Sequence, residues 1–138
     1  MNTKYIIILL DTNILINAIK ENWHIHSLIE NQIYQYHKIV VPNLIVKELK
    51  KLKIKKTVKN GALRLVNDIF ELLDDTKFLS ERIYELPVDD QLLQLAIELN
   101  VSNKVVIMTQ DNKFKEKILD KGLNVLIVSY GTSKLITI

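Results

Sequence analysis

Five acidic residues stand where chemistry could be done: Asp11, Glu48, the pair Asp89-Asp90, and Asp111. Asp11 breaks off an apolar run, Ile6 to Leu10, and Asp111 follows a second run, Lys104 to Thr109 (KVVIMT), after one intervening glutamine. Glu48 shares an i, i+4, i+8 spacing with Leu44 and Leu52, which predicts the inward stripe of a helix from which Lys47, Lys50 and Lys51 fall away. An acid on the buried side of a lysine-rich helix needs a partner; a pair with Lys51 is the ordinary one and is worth only a few tenths of a kcal/mol. Asp89-Asp90 opens a segment that is apolar nearly all round, where the helix dipole favours a carboxylate. Two adjacent acids exceed what a cap needs. Asp11 taken alone is equally well read as an N-cap.

Carboxylates gathered at close range repel one another, so such a cluster makes sense with a cation. Oxygen donors without Cys or His select Mg²⁺ or Mn²⁺. The chain has no cysteine. His24 and His26 are two apart, point to different helix faces and make a poor ligand pair; with His37 they read as surface or partly buried side chains. Two hard cations about 4 Å apart can activate a water and stabilise the leaving oxygen of a phosphodiester. The charge balance suits such a substrate. The chain carries 19 basic and 16 acidic residues, so withdrawing five acids into one site leaves 19 against 11 on the rest of the surface. Seven lysines fall between Lys47 and Lys59, and five of them, Lys50, Lys51, Lys53, Lys55 and Lys56, form a candidate phosphate-tracking patch. The competing reading is a solvated face.

These residues need elements to position them. Ile6 to Leu10 reads as a strand covered on both faces and too short to span a bilayer. A helix from Ile14 to Lys20 follows, then one from Trp23 to His37 with Trp23, Leu28, Ile29, Ile33 and Tyr36 on its apolar side. Ile39 to Val41 is a second strand closed by Pro42, and Asn43 caps a helix from Leu44 to Lys53. Thr57 to Asp75 reads as one long amphipathic helix, and Asp74 to Glu85 as a polar connection with a short strand near Ile83-Tyr84. Gln91 to Asn100 is a buried helix, Lys104 to Thr109 a strand, and Phe114 and Ile118 mark a helix ending at Gly122 as its C′ residue. Asn124 to Val128 is a further strand, and the tail from Ser129 to Ile138 adds an edge strand. Strands alternating with helices predict a three-layer α/β/α domain with a central, mainly parallel sheet of about five strands. In such a sheet the carboxyl ends of the strands lie on one edge, where Asp11, Glu48, Asp89, Asp90 and Asp111 can converge.

A chain of 138 residues is read as one domain spanning 1–138. With three glycines and two prolines it has no Gly-rich phosphate loop or dinucleotide fingerprint. The first apolar run lacks the length, basic flank and cleavage site of a signal peptide, and the absence of cysteine points away from an oxidising compartment. The expected location is the cytoplasm, without membrane attachment.

The motifs DTN at 11–13, VVPNLIVKELKKL at 40–52, VDDQLLQLA at 88–96 and VVIMTQDNKF at 105–114 resemble, in order and across nearly the whole chain, those of PIN-domain nucleases. The closing GTSKL at 131–135 is similar to the single-domain archaeal type related to rRNA-processing endonucleases; the toxin nucleases of VapBC pairs are also similar. The resemblance implies a metal-dependent endoribonuclease with Mg²⁺ or Mn²⁺ as cofactor and Asp11, Glu48, Asp89 and Asp111 as catalytic, metal-binding acids. Asp89 fits the family pattern better than Asp90, because Leu92 and Ala96 lie three and seven residues after it; Asp90 becomes an auxiliary ligand. Thr12, Asn13 and Thr109 occupy positions that support the site by hydrogen bonds. Implied partners are RNA, with a second copy of the chain, an antitoxin or a ribosome-assembly factor as further ones.

A phosphoacceptor receiver domain would need an acidic pair directly after the first strand, and a D-x-D phosphatase an acid at position 13, which is Asn. The remaining alternative is a catalytically silent PIN scaffold that binds RNA or protein.

Overall fold

The computed structural model describes residues 5–137. Its centre is β1 (Ile6–Leu10), buried at every position as its unbroken β-branched and leucine run predicts. β1 pairs in parallel with β2 (His37–Pro42) on one side and with β4 (Lys104–Thr109) on the other. β3 (Glu71–Leu73) lies outside β2 and β5 (Asn124–Ser129) outside β4, both parallel; β6 (Thr132–Ile136) turns back antiparallel on β5. The resulting six-stranded order is β3-β2-β1-β4-β5-β6, the mainly parallel sheet that the sequence predicts. Ile138, the end of the predicted tail strand, lies outside the described residues.

Helices flank this sheet: α1 (Thr12–Lys20), α2 (Ile25–Glu30), α3 (Asn43–Lys51), α4 (Lys56–Asp68), α5 (Val88–Leu99) and α6 (Asn112–Asp120). Apolar residues at 3.6-residue spacing seal them to the sheet: Ile14, Leu15 and Ala18 from α1, Leu44, Ile45 and Leu49 from α3, Leu92, Leu95, Ala96 and Leu99 from α5. α6 stops as predicted. Gly122 takes φ of 75°, Leu123 N–H returns to the Ile118 carbonyl and Gly122 N–H to that of Leu119, a Schellman closure.

Three predicted elements change. The helix expected from Trp23 to His37 is only Ile25–Glu30. The chain after it is drawn into β2, where His37 pairs with Ile6, and Tyr36 meets the Tyr5 ring edge-on at 6.0 Å and is exposed to solvent. The long helix from Thr57 to Asp75 ends at Asp68. The open backbone edge of β2 captures Glu71–Leu73 instead, which leaves Ile69 and Leu72 largely exposed. The strand expected near Ile83-Tyr84 is replaced by short 3₁₀ turns at Asp75–Lys77 and Glu81–Glu85. Among the described residues no helix is long and apolar enough to cross a membrane.

Candidate active site

From β1 the connections run outward to β2 and β3, and after the return to β4 they run the other way. The switch point therefore falls between the carboxyl ends of β1 and β4, where open α/β sheets leave a crevice for ligands. Asp11 follows β1 there, and Thr109 ends β4. The ladder continues one step beyond β1, with Asp11 N–H donating to the Met108 carbonyl at 3.0 Å. The Thr109 hydroxyl donates to Asp11 Oδ2 at 2.7 Å, and Thr12 N–H donates to Asp11 Oδ1 at 2.8 Å. Thr109 Oγ1 in turn accepts from Asp111 N–H at 3.1 Å. One threonine thus ties together the two acids that follow neighbouring strands.

Asp11 is buried, and its carboxyl is raised from 3.8 to about 6. Desolvation is the main cause; the Thr109 hydroxyl opposes it, Asp89 adds repulsion, Thr12 N–H opposes it, and Asp111 repels further. Asp89, in the first turn of α5, is half-buried and also raised, first by desolvation and then by Asp111, with Lys117 opposing and Asp90 and Glu48 adding repulsion. The charges of Asp89 and Asp111 are thus felt at Asp11, and those of Asp111, Asp90 and Glu48 at Asp89. Asp90 pairs with Lys117, its Oδ1 3.6 Å from Lys117 Nζ. Asp111 is exposed and caps α6, Oδ1 accepting from Lys113 and Phe114 N–H. Glu48 is half-buried on α3 between the buried Leu44 and Leu49.

Asn13 is exposed, whereas Thr12 is buried and its Oγ1 has no hydrogen-bond partner. Among the described residues no three acids stand close enough to clasp an ion as they are placed. The donor chemistry nonetheless fits a hard divalent cation, being all carboxylate oxygen, with an orphaned hydroxyl beside Asp11. The histidines take no part: His24 and His26 are exposed, and His37 Nδ1 contacts the Gln35 carbonyl oxygen.

A model of the PIN-like domain matches residues 8–129. The chain belongs to the PIN-like domain family. Among solved structures, this PIN-like fold is similar to the PIN domain endonuclease Utp24, with TM-score 0.74 and 19% identity over 96% of this chain and 92% of that one. It is also similar to VapBC2 from Rickettsia felis bound to a promoter DNA fragment (TM-score 0.59, 19% identity, 89% and 99% covered). VapBC-1 from nontypeable Haemophilus influenzae is comparable (TM-score 0.59, 20% identity, 88% and 97% covered). No curated protein sequence matches the chain.

The predicted lysines of this PIN-like chain, Lys50, Lys51, Lys53, Lys55 and Lys56, are all exposed where α3 gives way to α4, and among the described residues none is ion-paired. Two features of the site escaped the sequence. Asn17 Nδ2 donates to Gln110 Oε1, joining α1 to the turn before Asp111. Asn43, expected to cap α3, is its first helical residue, and the cap comes from Asp75: Leu44 N–H donates to Asp75 Oδ2 at 2.6 Å. The fully buried Asp75 also accepts from the Tyr84 hydroxyl at 2.6 Å, and this contact, with burial first, pushes the phenol of Tyr84 up. Gln91 Nε2 donates to the Tyr84 and Leu86 carbonyls. The helix of Glu48 and the helix of Asp89 are thus tied at their N-termini. Tyr84→Phe strips one partner from the buried carboxylate and is expected to cost about 1–3 kcal/mol in chemical denaturation.

Proposed function

We propose that this PIN-like protein is a metal-dependent endoribonuclease that hydrolyses single-stranded or loop RNA. The observation that carries the reading is the Thr109–Asp11 bond at the switch point, which holds a buried carboxylate against the repulsion of Asp89 and Asp111. A carboxylate kept dry beside other acids destabilises the fold unless a cation relieves it. The likeness to Utp24 and to the VapBC proteins supports the same reading.

Asp11, Glu48, Asp89 and Asp111 would hold Mg²⁺ or Mn²⁺, with Asp90 auxiliary. When bound, such a cation supplies Lewis-acid activation of water and charge relief on the departing 3′ oxygen. The chain's own part is positional. Thr109 and Thr12 fix the Asp11 oxygens, and the capping bonds fix Asp111 at the start of α6. Lys117 Nζ lies 3.6 Å from Asp90 and also offsets the charge of Asp89, and Asp89, the acid whose charge is felt at the buried Asp11, is the stronger candidate ligand. Lys50, Lys51, Lys53, Lys55 and Lys56 hold the RNA by its phosphates. Cleavage of labelled single-stranded RNA in Mn²⁺, absent in EDTA and in Asp11→Asn, tests the reading.

The open spacing of the acids favours one second reading, a silent PIN scaffold that binds RNA without cutting; RNA retained uncut by wild type in Mn²⁺ would select it. In either case, changing Lys50, Lys51, Lys53 and Lys55 together to Gln is expected to weaken RNA binding. The slope of log affinity against log salt should flatten by up to about 3, at about 0.7 for each lost phosphate contact. An unchanged slope would show these lysines to be a solvated face.

A further inference from the structure

Beside the acids lies an open cavity of about 610 Å³, lined by Asn17, Glu21, Trp23, Gln110, Ser129 and Tyr130 among others. Gln110 directly precedes Asp111, and it is bonded to Asn17, a second residue of the cavity lining. Two aromatic residues line this space, Trp23 half-buried and Tyr130 fully exposed. Trp23 is set by the end of α1, where Asn22 takes φ of 56° and Trp23 N–H returns to the Ala18 carbonyl. Its indole N–H has no partner among the described residues, and it lies near Gly131. Tyr130 forms, with Gly131, the two-residue turn between β5 and β6, both at positive φ (51° and 77°). Such a turn selects Asn or Asp before Gly; a fully exposed tyrosine there is set against local preference.

We infer that this cavity is a subsite for an unpaired nucleobase of the RNA strand being cut, stacked against Tyr130 and Trp23. The inference rests on the proposed ribonuclease reading and adds where a neighbouring base goes. The lining contains the carboxylate of Glu21 and no lysine or arginine, so a phosphate is repelled while base donors find acceptors. Glu21 also lines the adjoining cavity that contains Lys20 and Lys55. Cations for the backbone thus lie on one side of Glu21 and ring faces for a base on the other, the combination by which single strands are held.

Trp23 is the only tryptophan in the chain, so its fluorescence reads the cavity directly. The probe is a short oligoadenylate added to the Asp11→Asn protein, with an abasic oligomer of equal length as control. Oligoadenylate is expected to quench Trp23 and the abasic strand to leave it unchanged. Adding Tyr130→Asn, which suits the left-handed turn, should weaken oligoadenylate binding about tenfold, the usual worth of one stacked base. If wild type cleaves RNA in Mn²⁺ yet Trp23 ignores oligoadenylate, or Tyr130→Asn binds it unchanged, the subsite is wrong and the ribonuclease reading stands. If Tyr130→Asn instead dissociates a dimer in sedimentation without changing RNA affinity, the face is a protein interface and the subsite is overturned. If wild type neither binds nor cleaves RNA, both fall.

Discussion

The Asp11→Asn protein is expected to lose RNA cleavage while becoming, in EDTA at pH 7, more stable than wild type. The activity loss follows from removing the most deeply buried of the proposed metal ligands. A catalytic cation is worth several kcal/mol, so the rate should fall by about 10³-fold or more. The stability gain follows from the carboxyl of Asp11, which titrates near 6 in the fold and at 3.8 when unperturbed. Between those values the folded state binds more protons than the unfolded one, so the contribution of Asp11 to stability decreases as pH rises from about 4 to about 6. Above that window the penalty is complete, up to about 3 kcal/mol at 1.36 per pH unit. Asp89 is raised as well and adds a slope of the same sign. Asp74, fully exposed and held low by Thr76, opposes it, so the difference between wild type and variant isolates Asp11. Asparagine retains the geometry: its oxygen can accept from Thr12 N–H and its amide can donate to Thr109 Oγ1. Denaturation in EDTA across pH 4 to 8 should show the two proteins converging at the acid end. Millimolar Mn²⁺ should then stabilise wild type by mass action and the variant much less. A wild type indifferent to Mn²⁺ would place the cation elsewhere.

Where the sequence was legible, local signals decided the structure. The Ile6–Leu10 run reads as a doubly covered strand and is one, and Asp11 stands at its end. The β4 boundaries and the Gly122 closure of α6 were equally local, set by an apolar run and by a residue that tolerates positive φ. What escaped was carried by partners distant in sequence. Asp75 caps α3 from 31 residues away, and nothing near Asn43 announces it. The end of α4 was decided by the free edge of β2, because Phe70, Leu72 and Leu73 fit either a last helical turn or a short strand. The aromatic cavity required the C-terminal turn to meet the end of α1, a contact between residues about a hundred positions apart in the chain.

RNA cut by this protein is expected to carry a 5′-phosphate and a 3′-hydroxyl at the break. The alternative, attack by the 2′-hydroxyl to give a cyclic phosphate, needs a general base and a general acid placed on either side of one phosphorus. Among the described residues the histidines form no such pair: His24 and His26 sit exposed on the α2 side of the molecule, with His26 against Phe70, and His37 lies at the amino end of β2. That end is opposite the one where Asp11 and Thr109 lie, since β1, β2 and β4 run parallel. What the carboxyl edge would offer instead is carboxylate oxygen from the end of β1, from α3, from α5 and from the start of α6, suited to hold a cation and through it a water and the departing oxygen. Because the 2′-hydroxyl is not needed, single-stranded DNA should be cut as well, more weakly. Asp11, Asp89 and Asp111 should each be close to indispensable, Glu48 nearly so, and Asp90, already engaged by Lys117, least costly to replace. Mapping the ends of cleaved RNA checks the chemistry: cyclic phosphate termini, or full activity in EDTA, would show that the acids hold no catalytic cation.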